Sequence, residues 1–180
     1  MIQIAIDGPA GSGKSTTAKK IAQLLGINYM DTGAMYRAVA YEMMKRGVDL
    51  TDIDKINAEI RDIDLTVSYS DDAQHITIDG RDVTDKLRTP EVSAGASAVA
   101  KAGKVREYLV SIQQKTANQY DMVMDGRDIG TVVLPDSPAK FYMTASVDER
   151  ARRRQAQLKA AGVDSDFETL KSEIAARDKN

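Results

Sequence analysis

The residues whose types and spacing most clearly suggest chemistry form a glycine-rich stretch near the start of the chain. It matches the pattern G-x-x-x-x-G-K-[ST], in which x is any residue. With the residue after the pattern, it reads Gly8, Pro9, Ala10, Gly11, Ser12, Gly13, Lys14, Ser15 and Thr16. Glycines let the backbone curl so that successive N–H groups point inward and can surround a phosphate. The pattern therefore predicts a binding site for a nucleoside triphosphate.

Two side chains of this stretch predict contacts with the phosphates. Lys14 would reach the β- and γ-phosphates, and the hydroxyl of Ser15 would bind Mg²⁺. We expect Lys14 at the mouth of the cleft rather than in the core, so that its removal would cost a phosphate contact and little packing.

The elements on either side must position this stretch. The apolar run 2–6 precedes it and predicts a buried strand, and Ala18, Ile21, Ala22 and Leu25 follow at helical spacing. The alternative, a glycine-rich turn with a chance lysine, does not account for a strand on one side and a helix on the other. A loop that opens a helix also gains positive potential from the helix dipole.

Polar residues follow two further predicted strands. Asp125 comes directly after the apolar run 122–124, and Asp31 follows the short run 28–30. The carboxyl ends of parallel strands meet at one edge of a sheet, so we expect these residues and the glycine-rich loop to share one cleft. A carboxylate at position 125 can hold Mg²⁺ directly or through its water shell.

The order of the elements predicts an α/β fold with a parallel sheet as its core, in three layers, since strands and helices alternate along most of the chain. A small β-containing insert interrupts this alternation. Its apolar residues alternate with polar ones over 65–69 and 75–78, with a turn near 70–72, which predicts a hairpin.

Composition excludes several classes of protein. The net charge of −2 does not indicate a surface for nucleic acid, and the absence of cysteine excludes disulfides and thiol chemistry. No apolar run approaches the roughly 18 residues of a membrane-spanning helix, and the first apolar run lacks the basic leader of a signal peptide. We expect a cytoplasmic, monomeric protein whose partners are small molecules.

Arginines at several positions suit a second anion, as expected if a phosphoryl group passes from a triphosphate to an acceptor. Arg127 stands close to Asp125, and the other candidates are Arg37, Arg106, Arg150, Arg152, Arg153 and Arg154. For Arg152 and Arg153 a solvated helix face is an equally good interpretation. The motif with which GTPases read guanine, Asn-Lys-x-Asp, is absent from the sequence, which favours a kinase over a GTPase.

Several motifs together resemble the bacterial cytidylate kinases. They lie at 6–9, 31–37, 88–92, 105–107 and 125–131, with the β-insert in between. The resemblance covers essentially the whole chain, in the order and spacing of the family. It implies transfer of a phosphoryl group from MgATP to CMP or dCMP, with ATP and Mg²⁺ as cofactors.

The resemblance also implies roles for individual residues. It assigns Arg37 and Arg127 to the phosphate of the acceptor. It assigns the cytosine to Ser97, Arg106 and Asp128. Thr32 and Tyr36 match residues that line the monophosphate site, and Arg177 matches a position near the acceptor sugar. Arg150 and Arg154 would close over the phosphates from a lid.

The resemblance divides the chain into a core (1–31, 103–148 and 166–180), a monophosphate-binding insert (32–102) and a lid (149–165). Family members usually continue well past Asn180, so we expect either a shortened chain or one portion of a longer chain. Two alternatives stay open at this point. The acceptor could be UMP, AMP or shikimate, or the chain could bind nucleotides without catalysing transfer.

Overall fold

The computed structural model describes residues 1–70, 73–160 and 162–178, and it leaves out the side chain of Arg177. Within these residues the chain forms seven strands and seven α-helices. The strands are β1 (Gln3–Asp7), β2 (Asn28–Asp31), β3 (Leu65–Ser70), β4 (Ala73–Ile78), β5 (Arg81–Asp82), β6 (Met122–Gly126) and β7 (Ala139–Tyr142). The helices are α1 (Lys14–Leu25), α2 (Thr32–Lys45), α3 (Ile53–Glu59), α4 (Pro90–Val99), α5 (Gly103–Ala117), α6 (Val147–Ala160) and α7 (Phe167–Asp178).

The larger sheet contains four parallel strands in the order β2-β6-β1-β7. Its registers place Ala5 of β1 beside Met124 of β6 and Lys140 of β7, and Asp31 of β2 beside Asp125 of β6. The strands are therefore aligned with their carboxyl ends at one edge, which confirms the predicted parallel core. The glycine-rich loop follows β1 at that edge.

Helices cover both faces of this sheet. On one face Ile4, Ile6 and Val123 pack against Ala18 and Ala22 of α1. The opposite face belongs to a larger cluster of buried residues that includes Ala5, Met30, Met35, Met43, Leu109 and Met124. Apolar side chains on both faces of the same strands require this burial, because adjacent residues of a strand point in opposite directions. The α/β class and its three layers are confirmed.

The smaller sheet is antiparallel, in the order β3-β4-β5, and pairs Leu65 with Ile78 and Val67 with Ile76. This confirms the predicted hairpin, although Asp71 and Asp72 of its turn lie outside the described residues. Ile76 and Ile78 belong to the same buried cluster as the methionines of α2, so the small sheet shares its core with the large one. Among the residues described, no helix combines the length and the apolar character that a membrane span requires.

Candidate active site

The glycine-rich loop connects β1 to α1 and contains three glycines with positive φ: Gly8 (146°), Gly11 (78°) and Gly13 (100°). Gly8 cannot be replaced without moving the backbone, because a Cβ there would lie 2.0 Å from the carbonyl oxygen of Met143. Residues other than glycine rarely adopt such φ values. The curled backbone that the sequence predicted is therefore present.

Some polar groups of this loop have no partner among the residues that the structure describes. Gly13 precedes α1 and supplies no side-chain acceptor for the N–H groups of the first helical turn. The Oγ atom of Ser12 is buried and has no hydrogen-bond partner among the described residues. Orphan donors at a helix N-terminus form a site for an anion, and a phosphate would satisfy them.

Lys14 lies inside the structure, with 9% of its surface exposed, and its ammonium donates a hydrogen bond of 3.0 Å to the carbonyl oxygen of Pro9. The expected position at the mouth of the cleft is therefore wrong, because the side chain folds back within the loop to reach Pro9. Burial lowers the pKa of Lys14, and the positive charge of Arg127 adds to this effect. Three carboxylates oppose it, those of Asp125, Asp31 and Asp7.

Ser15 and Asp125, the two residues that the sequence predicts to bind Mg²⁺, meet across the loop. The hydroxyl of Ser15 donates a hydrogen bond of 2.8 Å to Oδ2 of Asp125, and the hydroxyl of Tyr29 donates one of 2.8 Å to Oδ1. Burial raises the pKa of Asp125, and the nearby charge of Asp31 raises it further.

These oxygen donors fit Mg²⁺, which prefers hard oxygen ligands and retains several waters. Within the described part of the chain no three acidic or histidine side chains gather into a metal site of their own.

The end of β2 brings Thr32 and Arg37 to the same edge. The hydroxyl of Thr32 donates a hydrogen bond of 2.8 Å to the backbone oxygen of Asp125, which ties β2 to β6. Asp31 caps α2 by accepting from the backbone N–H of Ala34 at 3.0 Å, and it forms an ion pair of 2.7 Å with Arg37. The Nε atom of Arg37 is buried without a partner among the described residues and can still donate to an anion.

The loop after β6 carries Arg127 and Asp128. Arg127 is exposed, and its charge acts on Lys14. Asp128 forms an ion pair of 2.5 Å with Arg106 of α5. Burial raises the pKa of Tyr36, as does Asp128, while Arg106 opposes them, so these three predicted residues lie together. Ser97 is exposed on α4.

Helix α6 lies against the glycine-rich loop, and its arginines differ in position. Arg150 is buried, with its guanidinium bonded to both carboxylate oxygens of Asp178 (2.9 Å to Oδ1) and to the carbonyl oxygen of Ala10 (3.4 Å). Arg153 donates to the carbonyl oxygen of Gly11 at 3.3 Å. Arg154 makes no hydrogen bond or ion pair with the part of the chain that is described, and Arg177 lies in α7 with its side chain outside this description.

Sequence reasoning missed Tyr29, and it missed the contacts that Asp31 and Arg153 make at the site. Tyr29 gives no signal, because a tyrosine in a short strand is an ordinary core residue. Asp31 follows a strand and was expected at the cleft, but its ion pair with Arg37 was not. Arg153 lies three residues after Arg150. Helical spacing places both on one face, and this was the signal that Arg153 could also meet the loop.

Comparisons with known proteins agree with this arrangement. The family model described as cytidylate kinase matches residues 4–180. The chain is 48% identical over 177 residues to the cytidylate kinase of Caldanaerobacter subterraneus subsp. tengcongensis, covering 98% of this chain and 77% of that protein. It is 49% identical to the cytidylate kinase of Caldicellulosiruptor bescii, covering 99% of this chain and 79% of that protein.

A third relative, the cytidylate kinase of Desulfitobacterium hafniense, is 49% identical over 98% of this chain and 76% of its own length. The residues matched by the family model span the glycine-rich loop, the ends of β2 and β6, and α6. On these matches and on this geometry, the chain belongs to the cytidylate kinase family.

Proposed function

We propose that this chain transfers the γ-phosphoryl group of MgATP to CMP or dCMP, forming ADP and CDP or dCDP. The observation that carries the proposal is that two loops lie side by side at one edge of the sheet. The loop after β1 offers unpaired donors for a triphosphate. The loop after β6, the adjacent strand, presents Arg127 and Asp128. A donor site and an acceptor site are thereby adjacent.

The donor site holds the phosphates of ATP. The N–H groups that begin α1 and the ammonium of Lys14 surround the β- and γ-phosphates. The N–H groups have no side-chain cap from Gly13, and the hydrogen bond of Lys14 within the described part of the chain goes to a neutral backbone carbonyl. Ser15 and Asp125 would hold Mg²⁺, which neutralises charge on the phosphates when it is bound. The burial of Asp125 supports this role, because a buried carboxylate gains from a cation beside it.

The acceptor site holds the phosphate of the monophosphate with Arg37 and Arg127. Arg37 is held by Asp31, and its Nε donor has no partner among the described residues, so it can bind an oxygen without losing its ion pair. Thr32 and Tyr36 line the same side. We assign no catalytic base, because holding two polyanions in line and neutralising charge accounts for the rate of such transfers.

The ion pair of Arg106 and Asp128 suits the edge of cytosine. Cytosine offers a donor at N4 beside acceptors at N3 and O2, whereas uracil offers an acceptor at O4 beside a donor at N3. Asp128 has Oδ1 available to accept from N4, and Arg106 has further N–H groups for N3 or O2. We place Ser97 at the same base and Arg177 near the sugar.

Residues 32–102 then form the monophosphate-binding part and 149–165 the lid, with 1–31, 103–148 and 166–180 as the core. Arg153 joins Arg150 and Arg154 as a candidate to contact phosphate, because it already reaches the loop at Gly11. Arg150 acts through its buried position, holding α6 and α7 against the loop.

A panel of acceptors tests this function. The purified chain would be mixed with MgATP and, in turn, CMP, dCMP, UMP, AMP and shikimate, and release of ADP would be measured. We expect turnover with CMP and dCMP well above the rate without acceptor. A clear preference for AMP, UMP or shikimate would replace the proposed acceptor, and binding of ATP and CMP without turnover would identify a non-catalytic module.

A further inference from the structure

Asp7 is a buried carboxylate to which the proposed function assigns no role. It ends β1, directly before the glycine-rich loop, and only 8% of its surface is exposed. Its Oδ1 accepts a hydrogen bond of 2.8 Å from the backbone N–H of Ile129, and its Oδ2 accepts one of 2.8 Å from that of Gly130. Its backbone oxygen accepts from the N–H of Met143 at 2.8 Å.

The two N–H groups that Asp7 binds open a short π-helical turn, Ile129–Val133, in the loop after β6. This turn has no side-chain cap from the residue before it, Asp128. A carboxylate that accepts two N–H groups makes strong, charge-assisted hydrogen bonds, and it does so here from a neighbouring strand. Asp7 thus replaces the missing cap and fixes the backbone that follows Asp128.

We propose that Asp7 is a positioning residue for the acceptor site. By fixing the amides of Ile129 and Gly130, it sets the direction in which Arg127 and Asp128 leave β6. The inference rests on the proposed function, because Arg127 and Asp128 matter only if they bind the monophosphate. Asp7 acts through the backbone and links the strand that begins the donor loop to the loop that carries the acceptor side chains.

The replacement Asp7→Asn tests this role. The amide keeps the size of the carboxylate, but its NH₂ group meets one of the two backbone N–H donors and cannot accept from it. We expect the affinity for CMP, measured by titration calorimetry without ATP, to fall about tenfold or more. The amides of Ile129 and Gly130 should also exchange their hydrogens faster.

The affinity for ADP should not fall in this variant. Asp7 bonds to the backbone of the loop after β6, whereas the donors proposed for the phosphates of ADP belong to the glycine-rich loop and the start of α1. A general loss of structure would lower the affinity for both CMP and ADP. The two affinities therefore separate positioning from unfolding.

Glu42→Gln is the matched control. Glu42 is also a buried carboxylate, but it forms its ion pair of 3.0 Å with Arg46 on the far part of α2. This control should lower the melting temperature and leave the affinity for CMP unchanged.

Equal losses of CMP and ADP affinity in Asp7→Asn, or an unchanged CMP affinity, would overturn the inference. If the unaltered chain bound no CMP, the proposed function would fail, and the amide exchange rates would still decide whether Asp7 holds the turn.

Discussion

Arg106 in α5 and Asp128 in the loop after β6 form an ion pair of 2.5 Å, although 22 residues separate them in sequence. Asp128 makes no such pair with Arg127 in the part of the chain that the structure describes. Asp128 could instead serve only to pair with Arg127 and orient it, but the ion pair with Arg106 favours a role at the base. The pair instead presents a fixed acceptor beside a fixed donor, which is the pattern that the edge of cytosine requires.

Asp128→Asn should therefore change the choice of base. An amide can donate to O4 of uracil, whereas a carboxylate can only accept. We expect kcat/KM for CMP to fall about 10²-fold and the ratio of CMP to UMP turnover to narrow. Steady-state kinetics with both acceptors measure this ratio. An equal loss for CMP and UMP would argue against contact between Asp128 and the base.

Lys14→Met should abolish measurable transfer while the chain stays folded. The buried position of Lys14 makes methionine the better replacement, since it fills the space of the stem while it removes the charge and the hydrogen bond to Pro9. Turnover should fall at least about 10²-fold. Lys14→Ala should lose the same activity and also some stability, which thermal unfolding would detect. Activity of the folded methionine variant near that of the unaltered chain would exclude Lys14 from the donor site.

Tyr29→Phe should weaken the use of Mg²⁺. The hydroxyl of Tyr29 holds Oδ1 of Asp125, and loss of a partner that orients a metal ligand commonly reduces metal affinity about tenfold. The Mg²⁺ concentration for half-maximal turnover should rise by that factor, while ADP binding in the presence of a chelator stays constant. Tyr41→Phe, at another half-buried tyrosine, serves as control. An equal shift in both variants would speak against orientation of Asp125 by Tyr29.

Tyr69→Phe should stabilise the chain at high pH. Burial raises the pKa of Tyr69 above its ordinary value of 10.0, with a smaller contribution from Tyr120, and the hydroxyl has no partner among the described residues. The folded state thus favours the neutral phenol of Tyr69. As the pH rises above about 10, Tyr69 ionises in the unfolded chain first, and the free energy of unfolding falls.

Urea unfolding of both chains measures this effect. Near neutral pH the variant should equal the unaltered chain or exceed it by about 1 kcal/mol, because an unpaired buried hydroxyl is removed. Near pH 11 the difference in the free energy of unfolding between the variant and the unaltered chain should be larger. An advantage that stays constant across this range would show that Tyr69 ionises equally in both states.

The sequence allowed prediction of the fold and of the residues that come together, but not of their partners. Motif spacing located Ser15 and Asp125, because strand ends in a parallel sheet share one edge. The burial of Lys14 and the pairing of Arg150 with Asp178 depend on how α1, α6 and α7 pack, which local patterns do not encode. The link from Asp7 to Ile129 joins residues 122 positions apart and depends on the order of strands in the sheet.

The most direct test of the central claim follows the phosphoryl group itself. The chain would be incubated with Mg²⁺, CMP and ATP that carries a label in its γ-phosphate, and the nucleotides would be separated. The proposed function predicts that the label appears in CDP, at a rate that depends on both CMP and the chain and that Lys14→Met abolishes. Label that remained in ATP, or that appeared only as inorganic phosphate, would contradict transfer to CMP.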